Sequence, residues 1–239
     1  MSNSLSNKEN FLRGVKSAVP IAVGYIPIAI AFGLLAKSAG VPSYVSALMS
    51  FLIYAGASQF IGVNLIVLGA SWWEIVITTF ILNLRHFLMT ATIAQMLEEK
   101  ASTKWRFLLA FGITDETFSV TSFQNEKILS RYYSFGLNTV AFASWNFGTW
   151  IGLFFADGFP DLLKSSMSIA LYAMFIGLLV PQIKKYRPAL VVSSLAVIIN
   201  CLYTWLPLTG NLSSGWGIIL ATVVSAAIGA KFCALEETE

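Results

Sequence analysis

The stretch "FILNLRHFLMTA" (Phe80–Ala91) sets an arginine beside a histidine in a run that is otherwise almost wholly apolar. Followed outward, the run covers residues 72–97, longer than the roughly 18 apolar residues read as one bilayer-crossing helix. The chain around it has 239 residues, 56% hydrophobic and only 11% charged, with a mean hydropathy of +0.73. A soluble domain carries about 25% charged residues. Further apolar runs at 15–36, 43–69, 106–123, 131–156, 165–183, 188–206 and 213–231 complete a set of about eight. These patterns predict an all-α integral membrane protein with seven to eight transmembrane helices. Residues 1–239 form one membrane domain, and no segment is long enough for a soluble one. The first run is too long for a signal-peptide core and lacks a cleavage site, so it is expected to stay as the first helix.

Trp72, Trp73, Trp105, Trp205 and Trp216 fall at span ends, where amphipathic rings favour the headgroup layer. Lys and Arg gather before the first span, in "NEKILSR" (Asn125–Arg131) and in "KKYR" (Lys184–Arg187). All three lie on one side of an eight-span layout, which the positive-inside bias makes cytoplasmic, together with the N-terminus of a multi-pass cell-membrane protein. "EEKASTKWR" (Glu98–Arg106) is the exception, with three basic residues on the side expected to face outward. It leaves a seven-span or partly re-entrant arrangement open. The cysteines, Cys201 and Cys233, lie too far apart in this layout for a disulfide, and one histidine without clustered thiols supports no metal site. The net charge of +3 is explained by loop bias, and nucleic-acid binding gains no support.

Laid over itself at an offset of about 118 residues, the chain shows an internal repeat with halves at about 15–123 and 131–231. "PSYVSALMSFLIYAG" (Pro42–Gly56) matches "PDLLKSSMSIALYAM" (Pro160–Met174) at the proline, Met-Ser and Tyr-Ala positions. Gly33 and Asn83 correspond to Gly152 and Asn200 within a residue of that offset. Duplicated halves are common in transporters, with the site near the midplane between them. Four spans per half make the repeats parallel, and an odd number makes them inverted. Polarity is concentrated in the first half, where Arg85 and His86 stand opposite Leu202 and Tyr203.

A charge at the bilayer centre costs at least about 2.5–3.5 kcal/mol on insertion scales, so Arg85 needs a partner. The next span, "RFLLAFGITDETFSV" (Arg106–Val120), offers Asp115 and Glu116, the only clearly intramembrane acids. An Arg85–carboxylate pair is expected, either as simple neutralisation or as part of a functional charge network. His86 carries an imidazole that titrates near neutral pH, suited to passing a proton or to a plain hydrogen bond with a neighbouring helix. Burial raises a carboxyl pKa while Arg85 lowers it; which of the two acids carries a proton is left open by the sequence. "YAGASQF" (Tyr54–Phe60) joins small residues, which permit close helix contact, to the amide of Gln59. A glycine such as Gly56 in an unwound stretch would expose backbone groups able to hold a substrate carboxylate or ammonium. "SWNFGTW" (Ser144–Trp150) repeats the theme with Asn146 and Gly148. Gly56, Gln59, Asn83 and Asn146 are therefore the candidate substrate-binding residues. Arg85, His86, Asp115 and Glu116 are the candidate proton-coupling group.

"GYIPIAIAFG" (Gly24–Gly33), "YAGASQF", "NLRHFL" (Asn83–Leu88) and "DETF" (Asp115–Phe118) together resemble the AzlC family, the large subunit of branched-chain amino acid exporters, in the family's order and over nearly the whole chain. The resemblance implies export of Leu, Ile, Val and Met driven by the proton gradient, with a small AzlD-type membrane subunit as partner. No Walker-type phosphate loop is present, and no cofactor is expected. The alternative is a proton- or ion-conducting channel subunit built on the same buried charges. An intramembrane enzyme is not expected, because the lone His86 has no Ser or Cys nucleophile paired with it.

Overall fold

The computed structural model describes residues 6–122, 124, 128–155, 158, 160, 162, 176, 179, 180, 183, 184, 186–205 and 214–233. Most of the expected span 165–183, and most of the second copy of the repeat at Pro160–Met174, lie outside the described residues. The described residues form helices joined by short connections, as the apolar runs predict, and the chain divides into two compact units. The first comprises Met1–Phe60 and Asn83–Ala170; the second comprises Ile61–Leu82 and Leu171–Glu239.

The first unit is built on two long helices, α1 (Asn7–Ser38) and α7 (Arg131–Phe154). A capping box starts α1: the Glu9 amide donates to Ser6 Oγ, and the Ser6 amide donates to Glu9 Oε2 at 2.7 Å. Gly40, at φ +73°, ends it in a Schellman turn, with the Val41 amide donating to the Ala36 carbonyl and that of Gly40 to Lys37. The helices touch backbone to backbone through small residues. A Cβ on Gly33 would lie 2.5 Å from the Thr149 carbonyl oxygen, and one on Gly148 would lie 2.6 Å from that of Ile26. The contacts ascend together, from Phe11 against Phe135, through Tyr25 against Trp145, to Gly33 against Gly152. The two helices therefore run parallel and begin at the same end of the unit.

Two of the expected spans are not single straight helices. The run 43–69 forms α2 (Ser43–Leu48), which widens into a π turn at Met49–Ile53 and stops at Tyr54; α3 (Gly56–Val67) follows. Tyr54 adopts φ 47°, ψ 46°, a left-handed conformation that ends the helix. Beyond it the chain turns back, because Gln59 Nε2 donates to Ser50 Oγ at 2.9 Å. Nine residues of straight helix would hold those two backbones about 13.5 Å apart. The run 106–123 is likewise split into α5 (Thr103–Phe111) and α6 (Asp115–Ser122) by Gly112, Ile113 and Thr114. Trp105 of α5 packs on Tyr132 and Phe135 at the start of α7, and Phe111 reaches Phe142. Thr117 and Thr121 of α6 then descend to line one small cavity with Leu109, Ser134 and Asn138. Hydropathy registers an apolar run of span length and cannot register a reversal inside it.

These are two re-entrant hairpins that enter from opposite ends of the α1–α7 pair. α4 (Trp72–Met96) links them, and its Asn83–Met96 portion descends to the start of α7, where Leu97 pairs with Leu129. This corrects the position expected for "EEKASTKWR". Glu98 pairs with Arg131 Nε at 3.4 Å, and Arg131 Nη1 donates to the Lys100 carbonyl at 3.0 Å. The basic connection therefore lies at the end where α1 and α7 begin, with Lys8, Arg13 and Lys16.

In the second unit α8 (Arg187–Trp205) packs antiparallel to α9 (Ser214–Cys233), with Gly217 against Tyr203 and Gly229 against Val192. Glu74, 5% exposed, accepts the Gly215 amide at 3.0 Å at the N-terminus of α9, where a carboxylate complements the helix dipole. Asp115 and Glu116 are thus not the only acids in the apolar runs, and Glu74 is more deeply buried than either. Glu74 escaped the sequence reading because it follows Trp72 and Trp73, at a span end where acids are ordinarily solvated.

Candidate functional site

The tips of the two hairpins come together between α1, α4 and α7. The first tip, Tyr54–Gly56, is held by a closed ring of hydrogen bonds. Gln59 Nε2 donates to Ser50 Oγ, and Trp145 Nε1 donates to Gln59 Oε1 at 3.1 Å. The Thr149 hydroxyl donates to the Trp145 carbonyl at 3.0 Å, so its 2.8 Å bond with Ser50 has Ser50 as donor. Gln59 is 0% exposed, and a buried amide keeps its desolvation cost low only when both ends are paired. Gly56 starts α3 against the Trp145 ring, where a Cβ would lie 2.7 Å from Cη2. Any larger residue would push Trp145 off Gln59.

The second tip carries the charges. Thr114 and Thr117 cap α6 reciprocally: the Thr114 amide donates to Thr117 Oγ1 at 2.8 Å, and the Thr117 amide to Thr114 Oγ1 at 3.3 Å. Asp115 and Glu116 therefore occupy the first turn of a half-helix, the position that favours carboxylates, rather than the middle of a span. They diverge from there. Asp115 Oδ2 pairs with Arg85 Nη1 at 2.8 Å, with side chains 28% and 42% exposed. Glu116 turns to α1, where Tyr25 donates to its Oε2 at 2.5 Å while the same hydroxyl oxygen lies 2.7 Å from Thr114 Oγ1. Tyr25 stands edge-on to Trp145 at 5.3 Å and so joins the two tips.

The other expected residues gather unevenly. Asn83 Oδ1 accepts from Ser58 Oγ at 3.0 Å, which ties α4 to α3. His86 lies one turn on, facing the Asn83 carbonyl and within electrostatic reach of Arg85 and Glu116. Asn146 is not drawn in: its Nδ2 donates to the Phe142 carbonyl of its own helix, and its buried Oδ1 has no partner among the described residues. Tyr25, Thr114, Trp145 and Thr149 were missed as site residues. The signal for Tyr25 was present in "GYIPIAIAFG", but a tyrosine in an apolar run reads as packing. Tyr54 is 4% exposed; its hydroxyl lies near Tyr25 and Glu116 yet makes no well-formed hydrogen bond. Its ring packs on Phe111 and Phe142, which with Phe51 and Leu108 line an adjoining apolar groove of about 330 Å³.

The family model described as AzlC protein matches residues 20–159, the stretch containing both hairpins. The chain is 32% identical over 196 residues to the inner membrane protein YgaZ of Escherichia coli, covering 77% of this chain and 78% of that protein. It is 33% identical over 228 residues to an uncharacterized membrane protein of Archaeoglobus fulgidus, covering 90% and 98%. The branched-chain amino acid transport protein AzlC of Bacillus subtilis is 25% identical over 171 residues, covering 71% and 66%. No solved structure matches the chain. With the matched residues spanning both hairpins and most of the α1–α7 pair, the chain belongs to the AzlC family.

Proposed function

We propose that this protein is the large subunit of a secondary transporter that exports branched-chain and other hydrophobic amino acids in exchange for protons, together with a small AzlD-type membrane subunit. The observation that carries the reading is the meeting of two broken helices from opposite ends at a polar, partly charged centre. Discontinuous helices of this kind hold substrates at membrane depth, with half-helix N-termini turned to anionic groups and the irregular backbone lining the cavity. The first turn of α3 at Gly56 is suited to the substrate carboxylate, with Gln59 and Asn83 fixing the tip. The groove beside Tyr54 offers apolar space for an aliphatic side chain. Arg85, His86, Asp115 and Glu116 supply the proton-coupling groups. The likeness to the branched-chain amino acid transport protein of Bacillus subtilis supports the substrate class.

The halves at about 15–123 and 131–231 are read as parallel repeats, a reading supported by the parallel α1 and α7 and by Gly33 meeting its repeat counterpart Gly152. Basic residues gathered at the start of α1 and α7 support a cytoplasmic N-terminus in the cell membrane. Cells expressing the chain with its small partner should release preloaded leucine or valine faster than cells carrying either protein alone, and collapse of the proton gradient should abolish the difference. Proton conductance without saturable amino acid efflux would instead favour a channel subunit.

A further inference from the structure

Resting on that transport reading, we propose that Glu116 is the coupling carboxylate, at which a proton and the substrate's ammonium group compete, and that Tyr25 is its positioning residue. Neighbouring acids in the first turn of α6 have been given different partners. Asp115 is held by the Arg85 guanidinium at 2.8 Å, a charge-assisted contact that occupies both groups with each other. Glu116 has a neutral partner instead, the Tyr25 hydroxyl at 2.5 Å, itself fixed by Thr114 and by the Trp145 ring. The groups facing Glu116 are Tyr25 from α1, Tyr54 from the first hairpin tip, Arg85 and His86 from α4, and Asp115 on its own helix.

Among these, Arg85 is committed to Asp115, so Glu116 is left as the carboxylate available to an incoming cation. The buried Tyr54 hydroxyl, without a hydrogen-bond partner among the described residues, lies beside it. A carboxylate and a proton form one carboxylic acid, and a carboxylate and an ammonium form one ion pair; Glu116 cannot do both. Arrival of the ammonium expels the proton to water, and protonation from the opposite side releases the ammonium. Exchange then follows from single occupancy of one group, without a separate relay.

The test is exchange of labelled for unlabelled leucine in proteoliposomes holding the full chain with its small partner, at equal pH on both sides, from acid to alkaline. For the wild-type chain the half-saturating leucine concentration should rise about tenfold per pH unit on the acid limb and level off above it. Glu116→Gln imitates the protonated carboxyl, so saturation should need at least about tenfold more leucine and the pH dependence should vanish. Tyr25→Phe keeps the carboxylate but removes its donor; maximal exchange should survive, with the acid limb displaced upward by about one pH unit. Should Glu116→Gln not fold, Glu116→Asp is the second variant, with exchange retained and the limb displaced. Retention of the wild-type pH dependence in Glu116→Gln, or an undisplaced limb in Tyr25→Phe and Glu116→Asp alike, would overturn the assignment while leaving the transport reading intact. Absence of leucine exchange from the wild-type chain would overturn both.

Discussion

The two hairpins solve the same problem in opposite ways. Each breaks a helix inside the first unit and must satisfy the backbone and side chains exposed there. The first does so with neutral groups only, a closed ring of Ser50, Gln59, Trp145 and Thr149 from which solvent is excluded. The second uses charges, with the partly exposed Arg85 on Asp115 and the buried, neutral Tyr25 on Glu116. A neutral ring in which each side-chain polar atom has a partner has one low-energy arrangement and holds its tip in place. A set of partly exposed ionisable groups has several arrangements close in energy, which is what a site that exchanges ligands needs. The difference assigns anchoring to the first hairpin and chemistry to the second.

The largest effect should come from breaking the ring. Gln59→Leu leaves the buried Trp145 Nε1 without an acceptor and takes from Ser50 the amide that donates to it; the loss should be about 3 kcal/mol, read as a lowered thermal midpoint of the detergent-purified protein. A midpoint within error of wild type would show that the first hairpin is not anchored by the ring. Next comes the charged tip, where Arg85→Ala strands Asp115. Because both side chains are partly exposed, the loss should be smaller, about 1–2 kcal/mol, and Arg85→Ala with Asp115→Asn should recover part of it. Equal midpoints for the single and the double variant would argue against the pair as the stabilising contact.

His86→Gln should leave stability nearly unchanged, since its imidazole stands beside the second tip rather than in either network. If His86 passes protons, gradient-driven efflux should fall while leucine exchange is preserved; loss or survival of both together would assign it a structural role. Among the hydrogen-bonded contacts the smallest effect belongs to Ser58→Ala, which removes one hydrogen bond to the half-buried Asn83 and should cost under about 1 kcal/mol. A larger loss would mean that the link between α3 and α4, and not the ring, carries the first hairpin.

Much of the site was legible in the chain, because membrane depth makes polarity conspicuous. Arg85 demanded an acid, and of the two that the sequence left open the structure pairs it with Asp115; Gln59 demanded partners, although the run 43–69 around it reads as one continuous span. Asn146 stood out for the same reason but pairs within its own helix, since an asparagine four residues beyond a carbonyl can satisfy its amide locally. Trp145 and Tyr25 were the reverse case. Their roles depend on a single polar atom each, on rings whose apolar bulk dominates any hydropathy reading.

The sequence by itself determined that the chain is an all-α membrane protein of the AzlC kind, because burial in lipid forces long apolar helices and penalises every stray charge. It also marked where charge is concentrated. Only the tertiary structure decided that two of the apolar runs reverse inside the fold, that "EEKASTKWR" shares an end with the N-terminus, and that Asp115 and Glu116 face different partners. Hydropathy reports how apolar a segment is and is blind to its direction. Direction is set by contacts far apart in the chain, Gly33 on Gly152, Gln59 on Trp145 and Tyr25 on Glu116, which exist only once the helices have packed.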